Sequence, residues 1–370
     1  MGKALASDVA DDLEELQALV SSAGADVVAT ITGKRDRPGP SLFVGSGKAN
    51  EIALEASTNE AELVIFNHAL SGAQERNLER TLECRVVDRR ALILDIFAQR
   101  ARSAEGKLAV ELAQLEHLST RLVRGWSHLE RQRGGIGMRG PGEKQLEMDK
   151  RIIVDKIRSL KERLEKVGRQ RHTQRRQRAR SNTRGIAIVG YTNAGKSTLF
   201  NRLTAAGTYA ANQLFATLDT TVRKLFVAEA QPLVVSDTVG FVRDLPHELV
   251  DAFKATLLEA VESDLLLHVV DGASEARDMQ IEAVNGVLDE IGATEMRRLI
   301  VVNKCDLSGL TDEAGRVEYD PETGLPSRVF VSARTGAGIP ELRLALQAHF
   351  PRQNTGYGDF DTLEAASSSA

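Results

Sequence analysis

One stretch of eight residues restricts the fold of this chain more than any other: Gly190, Tyr191, Thr192, Asn193, Ala194, Gly195, Lys196 and Ser197. It has the spacing G-x-x-x-x-G-K-[ST], with an apolar run before it at 186–189 and a helical pattern after it at 197–204. A strand end, a glycine-rich turn and a helix start, in that order, converge backbone N–H groups on one point. That point lies at the positive end of a helix and holds phosphate oxygens. The strand needs neighbours, and four more short apolar runs supply candidates, at 233–236, 265–270, 299–302 and 329–331. Short, uniformly apolar strands belong in a sheet covered on both faces. The expected fold class is therefore α/β, a P-loop domain with a mostly parallel, doubly wound sheet and its ligand at the carboxyl ends of the strands.

The residues that follow those strands define the ligand. Lys196 is expected to reach the β- and γ-phosphates, and Ser197 to ligate Mg2+. Asp237, Thr238, Val239 and Gly240 form D-x-x-G after the run at 233–236. Asp237 suits magnesium through water, and the Gly240 N–H suits the γ-phosphate. Asn303, Lys304, Cys305 and Asp306 follow the run at 299–302. A carboxylate at Asp306 accepts from both N1–H and the exocyclic amine of guanine, a donor pair that adenine lacks. Ser332, Ala333 and Arg334 follow the last run and are placed to support the base through backbone N–H groups. Within Phe215, Ala216, Thr217, Leu218 and Asp219, Thr217 is the candidate switch threonine that completes magnesium coordination, with Thr220 and Thr221 as alternatives.

These segments together describe a GTP hydrolase, converting GTP to GDP and phosphate. Its catalytic candidates are Lys196, Thr217 and Gly240, and its metal candidates Ser197, Thr217 and Asp237. Phe241 follows Gly240, where many small GTPases carry a water-orienting glutamine. A phenyl ring cannot orient water, so slow intrinsic hydrolysis accelerated by a partner is expected. Asn193 either helps hold K+ near the phosphates or stabilises the loop.

The rest of the chain divides by pattern into residues 1–100, 101–181, 182–350 and 351–370. Residues 1–100 read as a small α/β unit. Residues 8–22 are helical, with Leu13, Leu16, Leu19 and Val20 on one face; 25–32, 62–66 and 84–87 are strand-like; 71–83 returns to helix. Gly45, Ser46, Gly47 and Lys48 lack the phosphate-loop spacing and read as a turn. In 101–181, Leu108, Leu112, Leu115, Leu118 and Leu122 recur at three or four residues, as do Leu146, Ile153, Ile157, Leu160, Leu164 and Val167. Such seams suggest two helices folded as an antiparallel coiled-coil hairpin. The expected GTPase domain is 182–350, and 351–370 reads as a disordered tail.

Charge then becomes informative. The whole chain carries −4, yet residues 121–180 hold 19 Lys and Arg against 7 Asp and Glu. A basic arm on an acidic body suggests a local polyanion contact. The join between the two helices at 131–143 is glycine-rich and cationic. Arg131, Arg133, Gly134, Gly135, Gly137, Arg139, Gly140 and Gly142 are its candidate contacts to nucleic acid. Trp126 and His128 stand just before it, able either to stack on bases or to pack in the core. No apolar run approaches the ~18 residues of a membrane helix, so no membrane insertion is expected. Cys84 and Cys305 lie far apart, without metal-ligand spacing, and suit reduced thiols in a cytoplasmic protein.

At this point the chain resembles the HflX family of translational GTPases. The matching segments are GYTNAGKSTLFN at 190–201, QLFATLD at 213–219, DTVGF at 237–241, LDIFAQRA at 94–101 and GGIGMRGPGE at 134–143. The last two belong to no generic GTPase. The resemblance covers roughly residues 9–350. It implies binding to the large ribosomal subunit through ribosomal RNA, and rescue of stalled ribosomes by splitting the subunits. It also implies that the glycine-rich loop is presented toward the peptidyl-transferase region. Thr220 departs from the proline usual after Leu-Asp. The chain is expected to end before the extra C-terminal domain of some members, and residues 1–7 are short for a first strand. A monomer is expected. The competing readings are a protein-binding GTPase switch without RNA contact, and an added ATP-dependent RNA-remodelling activity in the N-terminal region.

Overall fold

The computed structural model describes residues 2–125, 141–180, 183–205, 214–215, 217–218, 220–230, 232–243, 245–246, 248–250, 252–253, 261–307 and 309–352. Arg131, Arg133, Gly134, Gly135, Gly137, Arg139 and Gly140 lie outside the described residues, as do Trp126, His128, Ala216, Asp219 and 353–370.

The first half runs α1 (Gly2–Ser22), α2 (Ser46–Thr58), β1 (Leu63–Phe66), α3 (Gly72–Leu82), β2 (Arg85–Asp88), α4 (Arg89–Arg100), α5 (Ala104–Gly125) and α6 (Pro141–Arg180). β1 and β2 pair in parallel. Local chemistry sets the helix starts. Ser71 caps α3 in a capping box with Gln74, and the buried Asp88 caps α4 by accepting from Ala91 N–H at 2.9 Å.

Two expectations for this region are corrected. Residues 25–32 form no strand; they run outside any ladder, with Val27 and Val28 exposed. β-branched residues stabilise a strand through cross-strand neighbours, and this segment has none among the described residues. Residues 46–48 open α2 instead of making a turn. Gly45 is the N-cap, and its carbonyl accepts from Ala49 N–H at 2.9 Å, closing the first helical turn.

α5 and α6 pack together along part of the expected seams; Leu118, expected in the seam, is 45% exposed. Leu160 is buried, and Ile157 and Leu164 join the cluster that holds Leu108, Leu112 and Leu115. Two ion pairs cross between these helices, Glu111 with Lys156 and Glu116 with Lys161, each at 2.8 Å.

The second half runs β3 (Arg184–Gly190), α7 (Lys196–Thr204), β4 (Thr221–Leu225), β5 (Leu233–Asp237), β6 (Leu265–Asp271), α8 (Arg277–Glu290), β7 (Arg298–Asn303), a 3₁₀ turn (Thr311–Glu313), β8 (Val317–Tyr319), β9 (Pro326–Phe330) and α9 (Ile339–His349). The sheet order is β4-β5-β3-β6-β7-β9-β8. The five inner strands are parallel, and each edge strand is antiparallel to its neighbour. The inner five are the apolar runs of the sequence, and the polar edges β4 and β8 escaped that reading. Beyond α9, Pro351 bridges Ala230, so the end of the described chain pairs back on the sheet side.

Two apolar clusters cover the sheet. One, with Leu199, Phe200, Leu342 and Leu346, lies beneath α7 and α9. The other runs without a break from Leu19, Ile93 and Phe97 of the first half to Phe215, Phe241 and Phe253 of the second. The two halves therefore share a core at the switch segments. No described helix is long and apolar enough to cross a membrane.

Candidate functional site

The phosphate loop leaves β3 and enters α7 through Gly195, whose φ of +94° favours glycine. A Cβ there would stand 2.2 Å from Asn303 Nδ2. Lys196, the first residue of α7, is buried and donates from Nζ to the carbonyl of Tyr191 at 2.7 Å. Burial pulls its ammonium pKa down to about 8, against the attraction of the Asp237 carboxylate.

Three segments bring oxygens to one point beside Lys196. Ser197 Oγ lies 2.7 Å from Thr217 Oγ1 and 2.8 Å from Asp237 Oδ2, and Thr217 Oγ1 lies 3.0 Å from that same carboxylate oxygen. Asp237 Oδ1 is buried without a partner, and burial pushes the carboxyl pKa up. An orphaned carboxylate oxygen beside two hydroxyls is a donor set that fits a hard divalent cation. Thr220 Oγ1 is buried without a hydrogen-bond partner, whereas Thr217 Oγ1 meets both Ser197 and Asp237, so of these two the geometry favours Thr217.

At the other end of the cleft, the buried Asn303 joins two loops. Its Nδ2 donates to the Ala194 carbonyl at 2.8 Å, and its Oδ1 accepts from Ala333 N–H at 2.9 Å. Lys304 turns through φ +65° and pairs with Asp271 at 2.7 Å. Asp306 Oδ1 accepts from Ser332 Oγ at 2.7 Å, and that hydroxyl accepts from Thr335 N–H at 3.1 Å. A cleft of about 410 Å³ connects the two ends and is lined by Thr192, Asn193, Gly195, Lys196, Ser197, Phe215, Thr217, Thr238, Gly240, Asn303, Lys304, Asp306, Ala333 and Arg334. It also includes Thr198 and Leu307, which the sequence reading missed. Thr198 had a signal, because it offers one of the first N–H groups of α7; Leu307 had none.

Other expected residues shape the site from behind. Cys305 is buried against Val302 and Phe330, which raises its thiol pKa. Leu218 and Val239 are buried in the shared core. Phe215 packs edge-on to Phe97 of α4 at 4.6 Å, and Leu214 N–H donates to Ser22 Oγ of α1 at 3.0 Å. Phe241 N–H donates to the Gly190 carbonyl at 3.1 Å, and Thr192 N–H donates to the Phe241 carbonyl at 2.7 Å. The Phe241 ring points into the shared core. Tyr191, expected at the nucleotide, turns its side chain the other way: the hydroxyl donates to Glu15 of α1 at 2.7 Å.

Three family models match successive parts of the chain. They are a GTP-binding GTPase N-terminal region over 10–98, a GTP-binding GTPase middle region over 100–178 and a 50S ribosome-binding GTPase over 185–304. GTPase HflX of Escherichia coli (strain K12) is 58% identical over 336 residues, which is 91% of this chain and 78% of that protein. GTPase HflX of Magnetococcus marinus is 47% identical over 331 residues, 89% of this chain and 76% of that protein. A solved GTP-binding protein from the archaeon Sulfolobus solfataricus, in complex with GDP, aligns at 25% identity and a TM-score of 0.45, covering 91% of this chain and 94% of that chain.

Proposed function

The chain belongs to the GTPase HflX family, and from that premise we propose that its GTP hydrolysis serves to split or rescue stalled ribosomes after it binds the large subunit. The family carries a ribosome-binding GTPase domain and hydrolyses GTP to GDP and phosphate. The observation that carries the reading is the meeting of Ser197, Thr217 and Asp237 beside the buried Lys196. Three separate segments meet there, so a change in one phosphate group is felt by all of them.

Each residue then has a task. Lys196 donates to the β- and γ-phosphates, and Gly240 offers its N–H to the γ-phosphate. Asp306 accepts from the guanine N1–H and amine, and Ser332, Ala333 and Arg334 close over the base. Ser197, Thr217 and Asp237 would hold Mg2+, which neutralises charge on the phosphates. Asn193, with φ +59° at the cleft, is the candidate K+ contact. Phe241 contributes no polar group to the cleft, which supports slow intrinsic turnover and stimulation by a partner. The 19 cations of residues 121–180, Arg131, Arg133 and Arg139 among them, and the glycine backbone at Gly134, Gly135, Gly137, Gly140 and Gly142 support ribosomal RNA as that partner. The protein acts in the cytoplasm, as a monomer.

GTP hydrolysis with and without purified large subunits tests this, together with co-sedimentation in GTP and GDP. Strong stimulation and GTP-dependent co-sedimentation are expected. A rate indifferent to large subunits would sink the reading.

A further inference from the structure

We propose that Tyr191 is a positioning residue for GTP hydrolysis, fixing the backbone beyond Gly240 through Arg243 and held in turn by Glu15 of the N-terminal region. Gly240 is packed tightly: a Cβ there would stand 2.8 Å from Lys196 Nζ. Backbone hydrogen bonds hold the next residue, Phe241, to Gly190 and Thr192, and this pairing forms a parallel bridge between Tyr191 and Phe241. The Tyr191 hydroxyl extends that hold two residues further, accepting from Arg243 N–H at 2.9 Å while donating to Glu15 Oε1 at 2.7 Å.

The Arg243 peptide is gripped on its other side too. Arg89 of α4 donates to the Arg243 carbonyl at 3.1 Å and pairs with Glu15 at 3.0 Å. The Arg243 guanidinium ion-pairs with Asp12 of α1 and lies 2.7 Å from Met279 Sδ. N–H, C=O and side chain of one residue, three places past Gly240, are thus held by Tyr191 together with Asp12 and Arg89. Burial and the Glu15 carboxylate push the phenol pKa up, so the hydroxyl keeps its proton. The side chain faces away from the cleft that the nucleotide would fill. Its influence on the reaction therefore passes through the backbone at Gly240, and that backbone is answerable to the N-terminal region.

The test is steady-state hydrolysis of GTP by the full chain, alone, with substrate concentration varied. Tyr191→Phe keeps the ring and is expected to leave KM and GDP affinity within about twofold while kcat falls about tenfold, the effect of one buried hydrogen bond to a charged group. Glu15→Ala matches it, Glu15→Gln restores most of the rate by keeping an acceptor, and the double variant Tyr191→Phe with Glu15→Ala is no slower than either alone. An unchanged or faster kcat, an effect confined to KM, or additive losses in the double variant would overturn the proposal.

Discussion

Asn303 Nδ2 stands 2.8 Å from the carbonyl oxygen of Ala194, so one side chain ties the base end of the cleft to the phosphate loop. Its other end accepts from Ala333 N–H at 2.9 Å. Asn303→Ala leaves a buried carbonyl and a buried N–H without partners, each costing about 1–3 kcal/mol. GDP affinity is expected to fall at least about tenfold and the unfolding midpoint to drop. Asn303→Asp is expected to be worse, because an acceptor would then face the Ala194 carbonyl. Titration calorimetry on both variants checks the order.

Phe97 is the aromatic centre of the shared core. Its ring lies 4.6 Å from Phe215 and 5.3 Å from Phe253, and it is 1% exposed. Phe97→Ala is expected to destabilise the fold by about 3–5 kcal/mol. Because the lost contacts join α4 to Phe215 and Phe253, hydrogen exchange should rise around these two residues more than in β6. Uniform exchange rates across parent and variant would contradict this.

His268 makes the fold sensitive to mild acid. It is buried in β6, which with the nearby charges of Arg298 and Lys196 holds its pKa down to about 4. An unfolded histidine protonates near 6.5, so between these values the unfolded chain binds more protons. The stability is fully present above pH 6.5 and is lost as the pH falls toward 4. The span corresponds to on the order of 3 kcal/mol. Asp237, whose carboxyl is pushed up, shifts stability in the opposite sense, so the comparison is between parent and variant. His268→Leu is expected to flatten the curve between pH 4 and 6.5, measured by denaturant midpoints.

The sequence and the structure agree most where function forces a local pattern. Strand β3, the phosphate loop and α7 are legible because the glycine spacing and the apolar run admit few alternatives. Strands β4 and β8 were not, since edge strands with residues such as Arg223 and Lys224 lack the uniform apolar character of buried ones. Val27 and Val28 misled in the opposite direction, their β-propensity counting for nothing without a neighbouring strand. Ser197 and Asp237 could be brought together from motif order, whereas Thr217 stood there as one of three candidate threonines until the hydroxyl contacts singled it out. The contact of Tyr191 with Glu15 could not be read from motif order, because it joins residues 176 apart and no local periodicity marks either one.

The base end allows a change of substrate. Asp306 Oδ1 accepts from Ser332 Oγ at 2.7 Å, which fixes the plane of the carboxylate. In Asp306→Asn the amide oxygen keeps that bond, and the amide nitrogen turns toward the base. The amide oxygen still accepts from N1–H, as a weaker neutral acceptor, but the nitrogen now faces the exocyclic amine donor to donor, so one hydrogen bond to a charge is lost and the other weakened. GTP affinity is expected to fall by about a hundredfold or more, at roughly 1.5 kcal/mol or above for the bond lost and less for the one weakened. Xanthine carries a carbonyl in place of that amine and accepts from the new donor. Xanthosine triphosphate should therefore bind and be hydrolysed by the variant at rates approaching those of GTP with the parent. A variant that kept its preference for GTP would mean that the base is read by the backbone N–H groups around Ala333, and not by the Asp306 carboxylate.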